Sequence, residues 1–443
     1  MMDLEKILNK LLSLGASEAE LYLVKSREVS LDLTQVISKA RTSEVTSLGI
    51  RVAIGKSVAT VGTQDLSEKG VEEALSKAIA IAKTTPPDEH WVSFNKEIGF
   101  KPLNGVYDKG TAEASAEDLV GVAEELLNSV KEGFKEAIPV RGAVTTSTHE
   151  VIYLSSYDGP LKRAETAAGL YIMAKVEEAG KVGTYGERDV KRSFKDLEPR
   201  KVGVEVGSRA KDFVDATSLE TGDYDVILHN DVVIAILPVM LGPAVSALNI
   251  QQGRSPLIGK KNVKILSDLI TVVDGGADSS LLGSKEFDDE GCATNNTVIV
   301  DKGVLKTYLY DSYTAYREGV KSTGNAVRTY SASPTPQPNH LHLRPGDSSL
   351  EEMIKESRKG LLVMSTIGEW LSNSISGHLN ATITHAYVIK EGEVVGTVKN
   401  GVISGNFYEL LNVKLAMVGK DLRILYRASA PSLMMREVRV AGK

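Results

Sequence analysis

The order in which apolar residues change their spacing restricts this chain more than any other feature. Leu4, Ile7, Leu8, Leu11 and Leu12 recur at helical intervals, and Gly15 follows where a C-cap would end the helix. The spacing then falls to two. Leu21–Val24, Val29–Leu33 and Val45–Ile54 read as strands, with Gly55 and Lys56 turning the chain into Val58–Val61. Ser67 opens a second helix with Val71, Leu75, Ile79 and Ala82 on one face, closed by Pro86 and Pro87. Residues 88–110 show no period and read as loop. A helix follows from Ser115, with Leu119, Val122, Leu126 and Val130 inward, and strands are expected around 140–147, 150–156 and 167–176. Helix, strands, helix, helix, strands is the pattern of an α+β layer, not of strict βαβ alternation.

A helix over Pro199–Ala216 reads as a bridge into a second half with different punctuation. There, 225–229 is strand-like and 231–249 is apolar and helical despite Pro238 and Pro243. Hairpins are expected across Asp301-Lys302-Gly303 and across Glu391-Gly392, and helices over Leu350–Lys359 and Tyr408–Met417. Ser331 to Pro345 holds four prolines and should be an ordered, extended segment. The expected organisation is an N-terminal mixed α/β layer over 1–195, a bridging helix or linker over 196–222, and a hairpin-rich antiparallel β domain with helices over 223–443.

Charge narrows the function classes. With 52 Lys+Arg against 58 Asp+Glu, the chain has a net charge of −6 and no basic surplus with which to displace counterions from nucleic acid. No apolar run approaches the roughly 20 residues that span a bilayer, and the first twelve residues carry too many charges for a signal peptide. The single cysteine, Cys292, excludes an intrachain disulfide, and its acidic neighbours favour a protonated, partly buried thiol. A cytoplasmic protein with neither nucleic-acid nor membrane partners is expected.

The usual catalytic patterns are incomplete. His149-Glu150 is the one His-Glu pair, but Tyr153 and Leu154 stand where a second zinc histidine would complete it, and the segment has strand spacing. Gly49 to Gly55-Lys56-Ser57 has one residue too many for a phosphate loop and lies between strands, and no Gly-x-Ser-x-Gly elbow occurs. His340 and His342 would face the same side of an extended chain, a two-histidine arrangement that could take a third ligand from Asp288, Asp289 or Glu290. His229 precedes Asn230 and Asp231, either of which could cap the next helix. The remaining polar cluster joins Asp288-Asp289-Glu290-Gly291 to Ser322-Thr323-Gly324-Asn325-Ala326-Val327-Arg328. Its hydroxyl, amide and guanidinium donors suit a peptide backbone or carboxylate, so Asp289, Glu290, Ser322, Thr323, Gly324, Asn325 and Arg328 are candidate peptide contacts. A structured turn with purely local bonds is the plainer alternative.

These segments, with Thr294, Gly303-Val304-Leu305-Lys306, Tyr308, Asp311 and Ala315, resemble the TldD/PmbA family. So do Gly15-Ala16, Glu20-Leu21-Tyr22 and Gly49-Ile50-Arg51-Val52, and Gln252-Gly253-Arg254-Ser255 resembles its PmbA (TldE) branch. The likeness runs in family order from about residue 12 to near the end. It implies a two-domain α+β fold and a heteromeric metallopeptidase acting on unstructured peptides, including peptide-antibiotic precursors and an antitoxin. An older family name refers to DNA gyrase, for which the net charge offers no support. In the TldD branch a helix carries HExxxH and binds zinc, and a cysteine near the C-terminus is a further ligand. The corresponding stretch here, Leu237-Pro238-Val239-Met240-Leu241-Gly242-Pro243, has neither His nor Glu, and no cysteine lies near the C-terminus. The resemblance therefore implies a PmbA-like subunit without its own cofactor, with zinc held by a TldD-like partner and an unfolded peptide as substrate. Two rival expectations are a self-sufficient metal-dependent peptidase built on His340 and His342, and a homo-oligomeric peptide-binding or regulatory protein.

Overall fold

The computed structural model describes residues 2–442. Its N-terminal half is a six-stranded antiparallel sheet in the order β3-β2-β1-β4-β5-β6. The strands are β1 (Glu18–Leu33), β2 (Ile37–Ile54), β3 (Ser57–Thr63), β4 (Ile138–Ser155), β5 (Leu161–Glu178) and β6 (Lys181–Lys191). Segments that read as pairs of short strands are single long ones. The polar residues between Val24 and Val29, and between Ser147 and Glu150, interrupt the apolar pattern but not the backbone ladder. β6 was not expected. It is an edge strand carrying Lys181, Glu187, Arg188, Asp189 and Lys191, charges of the kind that keep an edge from pairing further.

One face of this sheet is covered by helices, in two patches along the same long strands. Leu21, Ile50 and Val52 pack beneath α1 (Leu4–Ser13) and α2 (Glu68–Thr84). After the short α3 (Lys109–Glu113), α4 (Ala116–Gly133) and α5 (Pro199–Asp212) cover Val29, Leu31 and Leu33. The starts of α2 and α4 follow from their caps. Ser67 accepts from the Gly70 N–H, and Ser115 forms a reciprocal capping box with Asp118. The core around α4 and α5 continues into Ile227, Leu362, Met364 and Met434 of the second half, so the two halves share apolar contacts.

The second half holds an eight-stranded sheet and a six-stranded one, around α6 (Asn230–Ala244). Both expected hairpins form, at Asn296–Asp301/Val304–Leu305 and His378–Lys390/Glu393–Lys399. Three helix expectations are corrected. The helix from Leu350 ends at Glu356, because Lys359–Ile367 enters the eight-stranded sheet beside Gly222–Leu228. The helix expected over Tyr408–Met417 is one turn, Phe407–Glu409, then a π-helical turn, Leu410–Lys414, before Leu415–Val418 pairs as a strand. The helix expected over 231–249 breaks after Ala244 and resumes at Ala247. Its N-cap position is His229, not Asn230 or Asp231. Asp231 lies in the first turn, 2.7 Å from Arg423, which also reaches Glu187 of β6 at 2.5 Å.

Helices α4 and α5 approach closely because α5 presents Gly203 and Gly207 four residues apart. A Cβ on Gly207 would meet the Val130 carbonyl, and one on Gly203 would meet Ser129. We predict that Gly207→Val lowers stability by about 3 kcal/mol or more through overpacking. Gly121→Ala on α4, which faces open space, should be neutral or gain up to about 1 kcal/mol. Urea unfolding midpoints of the two variants check both.

Candidate functional site

Where the two halves meet, the inner face of the N-terminal sheet carries charge. Alternation puts Glu20 and Tyr22 opposite the helix-facing Leu21, and register places Arg51 across from Glu20 and Tyr153 across from Tyr22. The Glu20 carboxylate, with no exposed surface, accepts from Arg51 (2.8 Å), from the Tyr153 hydroxyl (2.8 Å) and from Arg328 of the second half (2.5 Å). Arg328 lies over the Tyr22 ring at 4.4 Å, and its backbone N–H donates to Asp289 at 2.9 Å. Arg163 of β5 reaches back, donating to Asp289 at 2.8 Å and to the Phe287 carbonyl at 2.6 Å. Glu290 accepts from the Ser312 N–H and lies 3.5 Å from Arg51. Three arginines and several acids are thus packed into one seam.

The seam titrates unevenly. Burial pushes the Asp289 and Glu20 carboxyls up, but Lys285 and Arg163 beside Asp289, and Arg51 and Arg328 beside Glu20, outweigh it and hold both below the usual carboxylate range. Asp288, Glu290 and Asp311 are raised, first by burial, and for Glu290 next by the Asp311 charge. Cys292 is buried, and burial followed by Asp288 pushes its thiol up to about 12. It stays protonated at neutral pH, as its neighbours suggested.

The loop candidates come together, but in the interior. Asp289, Glu290 and Asn325 are buried, and the Arg328 side chain is 2% exposed. Asn325 donates to Asp274 and to the Gln337 carbonyl. Ser322 and Thr323 are half-buried and donate to the Tyr310 carbonyl. Gly324 has φ +75°, and a Cβ there would press on the Ala293 backbone. The polar atoms proposed from sequence for a peptide are therefore largely engaged with the protein itself. Sequence reasoning missed Glu20, Arg51, Tyr153 and Arg163 as their partners. The available signal was charge at inward positions of otherwise apolar strands. His149 and Glu150 lie on β4, His149 half-buried and 3.1 Å from the Ser26 hydroxyl.

From Arg328 the chain crosses the junction as an extended strap, as its prolines require. The Tyr330 backbone and ring rest on Gly49 and Gly62 of β2 and β3, where any Cβ would collide with them. Thr335-Pro336 pairs with Ala326-Val327, and Leu341–Leu343 joins the six-stranded sheet. His340 and His342 do face the same side, and both meet Ser429. The Gly283 N–H donates to His340 Nδ1 (3.3 Å), and Ser429 Oγ lies 3.1 Å from His340 Nε2 and 2.7 Å from His342 Nδ1. These contacts require neutral His340 with its proton on Nε2. Burial and then His342 lower its pKa to about 4. The acids suggested as a third ligand are engaged elsewhere, Asp288 with the Ala326 N–H, Asp289 with Arg163 and Glu290 with Ser312. Among the described residues no three His, Cys, Asp or Glu side chains are grouped to hold a metal.

Between the strap and α6 lies a cavity of about 320 Å³. The helix presents Pro238 and Gly242, one turn apart, together with Pro243, against Thr335–Pro338. Ser246 donates to the Pro336 carbonyl at 2.9 Å. Nothing on this face of α6 is a metal donor or a base.

Residues 221–442 match the PmbA/TldA metallopeptidase C-terminal domain, and residues 19–82 match PmbA/TldA metallopeptidase domain 1. The chain belongs to the PmbA/TldD metallopeptidase family. An uncharacterized protein of Methanocaldococcus jannaschii is 28% identical over 98% of this chain and 99% of its own. Metalloprotease PmbA of Escherichia coli O157:H7 is 24% identical over 75% of this chain and 71% of its own. The crystal structure of TldE from Thermococcus kodakarensis shares the fold, with a TM-score of 0.90 at 24% identity over 99% of this chain and 100% of that one. No helix of the described residues is long and apolar enough to cross a membrane.

Breaking a buried ion pair from one side leaves an uncompensated charge. Arg328→Met should cost about 3–5 kcal/mol, and Arg328→Met with Glu20→Gln should cost less than the sum of the two, as a urea double-mutant cycle would show. The His340 ring binds a proton less readily folded (about 4) than unfolded (6.5), so its contribution is lost as pH falls from about 6.5 to 4. The loss should reach about 3 kcal/mol. Glu290, raised in the fold, contributes with the opposite sign. Comparing the stability–pH slope of His340→Asn with that of the unmodified chain isolates the histidine.

Proposed function

We propose that this chain is the PmbA/TldE-like, non-catalytic subunit of a TldD/PmbA-type metallopeptidase complex in the cytoplasm. The observation that carries the reading is α6. Its cavity-facing residues are Pro238, Gly242 and Pro243, on the helix where the family resemblance puts the HExxxH zinc site of the other branch. Without ligands to lower the pKa of a bound water, the helix cannot generate a hydroxide nucleophile at neutral pH. Zinc belongs, on this reading, to a TldD-like partner. This chain closes the cavity around it and helps to hold an extended, unfolded peptide.

The strap supports the second role. It is a fixed, extended segment with a cavity beside it, the setting in which backbone pairing gives sequence-tolerant affinity. In this reading Asp289, Glu290, Asn325 and Arg328 position the strap from beneath, and Ser322, Thr323 and Gly324 set the turn that leads into it.

The purified chain alone should carry close to no zinc by elemental mass spectrometry and should leave casein-like unfolded substrates intact. Adding a TldD-like chain with HExxxH should produce cleavage that a chelator abolishes. Chelator-sensitive hydrolysis by a partner-free preparation would sink the proposal. If that activity and the metal both vanished in His340→Ala/His342→Ala, the self-sufficient site would take its place.

A further inference from the structure

A second cavity, of about 310 Å³, opens between the halves on the other side of the strap. Its walls are cationic. Arg192 at the end of the N-terminal sheet donates to the carbonyls of Thr166, Leu281 and Ser284 and to the Ser284 hydroxyl. It forms no ion pair among the described residues, and its Nε is buried without a partner. Arg427 is exposed and also without an ion pair among the described residues. Lys285 lies 3.7 Å from Asp289, which Arg163 already neutralises at 2.8 Å. His149 adds a polar ring. The one acid in the lining, Glu165, sits 4.0 Å from Arg163. Opposite these groups is Asn339, whose Nδ2 donates to Asp274 and to the Gly324 carbonyl while its buried Oδ1 has no partner.

A cavity with spare guanidinium donors and one spare amide acceptor asks for an anion carrying an adjacent hydrogen-bond donor. Leaving either group unmatched costs desolvation, and an Arg–carboxylate pair is a strong charge-assisted bond. A carboxylate next to a peptide amide satisfies both. Hydrogen phosphate could also meet both, with its oxyanion and its P–OH, but the cavity adjoins the strap that is proposed above to hold a peptide. Gln337, Pro338 and Arg427 line this cavity and also the one over α6, so the same residues of the strap border both spaces.

We propose that this interdomain cavity binds the free C-terminal carboxylate of an extended peptide, Arg192 and Arg427 receiving the carboxylate and Asn339 accepting the last amide N–H. The inference rests on the peptide-holding role proposed above and adds the end of the peptide that is recognised. It makes this chain a reader of chain termini, selective for fragments over internal loops.

The test uses the full chain and an N-terminally labelled, unstructured hexapeptide of Ala, Val, Ser and Thr, as the free acid and as the C-terminal amide, followed by fluorescence anisotropy. The free acid should bind at least about tenfold more tightly than the amide. Arg427→Gln, at an exposed position, should remove that difference. Arg192→Gln should do the same in preparations whose thermal unfolding is unaltered, and N-acetylalanine should compete. Equal binding of acid and amide, no binding of either, or an acid preference that survives Arg427→Gln would each overturn the assignment. Displacement of the acid by inorganic phosphate more readily than by N-acetylalanine would overturn it in favour of a phosphate site. Peptide binding without acid preference leaves the subunit reading standing, because that is decided separately by reconstitution with the zinc chain.

Discussion

The Glu20 carboxylate is the point on which the two halves turn. A charge with no solvent exposure is tolerable only when paired and hydrogen-bonded, and Glu20 finds its partners on both sides of the junction, Arg51 and Tyr153 from its own sheet and Arg328 from the strap. Because Arg328 is also held by Tyr22 and through its backbone by Asp289, the strap's first residue is fixed in both position and direction. Everything downstream follows from that anchorage. Tyr330 seats on its two glycines, Pro336 meets Ser246, and the strap becomes the wall of both cavities.

Such a seam contributes specificity more than stability. Apolar residues of similar volume would join the halves about as firmly, since desolvation offsets much of the attraction between buried charges. They would not fix one register between sheet and strap. The uneven titration has the same origin. Asp289 and Glu20 stay ionised because Lys285 and Arg163 face the one and Arg51 and Arg328 the other, whereas burial raises Asp288, Glu290 and Asp311, with the Asp311 charge adding to it at Glu290.

The parts legible in the sequence were those set by local rules. Ser67 and Ser115 announce their helices because capping is a contact within four residues. The prolines of 331–345 fix an extended backbone wherever the segment lies. The alternation around Glu20-Leu21-Tyr22 gives two faces, but nothing local says what covers the second. Arg328 is 308 residues from Glu20, and only the folded topology brings them together. For the same reason the polar content of 288–291 and 322–328 located the right loops but not their neighbours. A loop that meets another domain and a loop that meets a ligand need the same donors. β6 was missed because an edge strand is free to be charged, and Leu410–Lys414 because a helical turn and a strand share its apolar run.

The 308-residue span between Glu20 and Arg328 has a consequence for synthesis on the ribosome. The six-stranded sheet is complete once residue 191 has emerged, and Trp91 and Phe94 then lie over Arg51 on its inner face, but Tyr22, Tyr153 and Glu20 still lack Phe287 and Arg328 of the second half. At roughly 5–20 residues per second, Arg328 follows residue 191 by about 7 to 27 seconds. During that interval a half-made sheet displays a mixed aromatic and ionic surface to the cell. Its charges, which are buried only once Arg328 arrives, keep the nascent sheet wetted and discourage it from sticking to its neighbours.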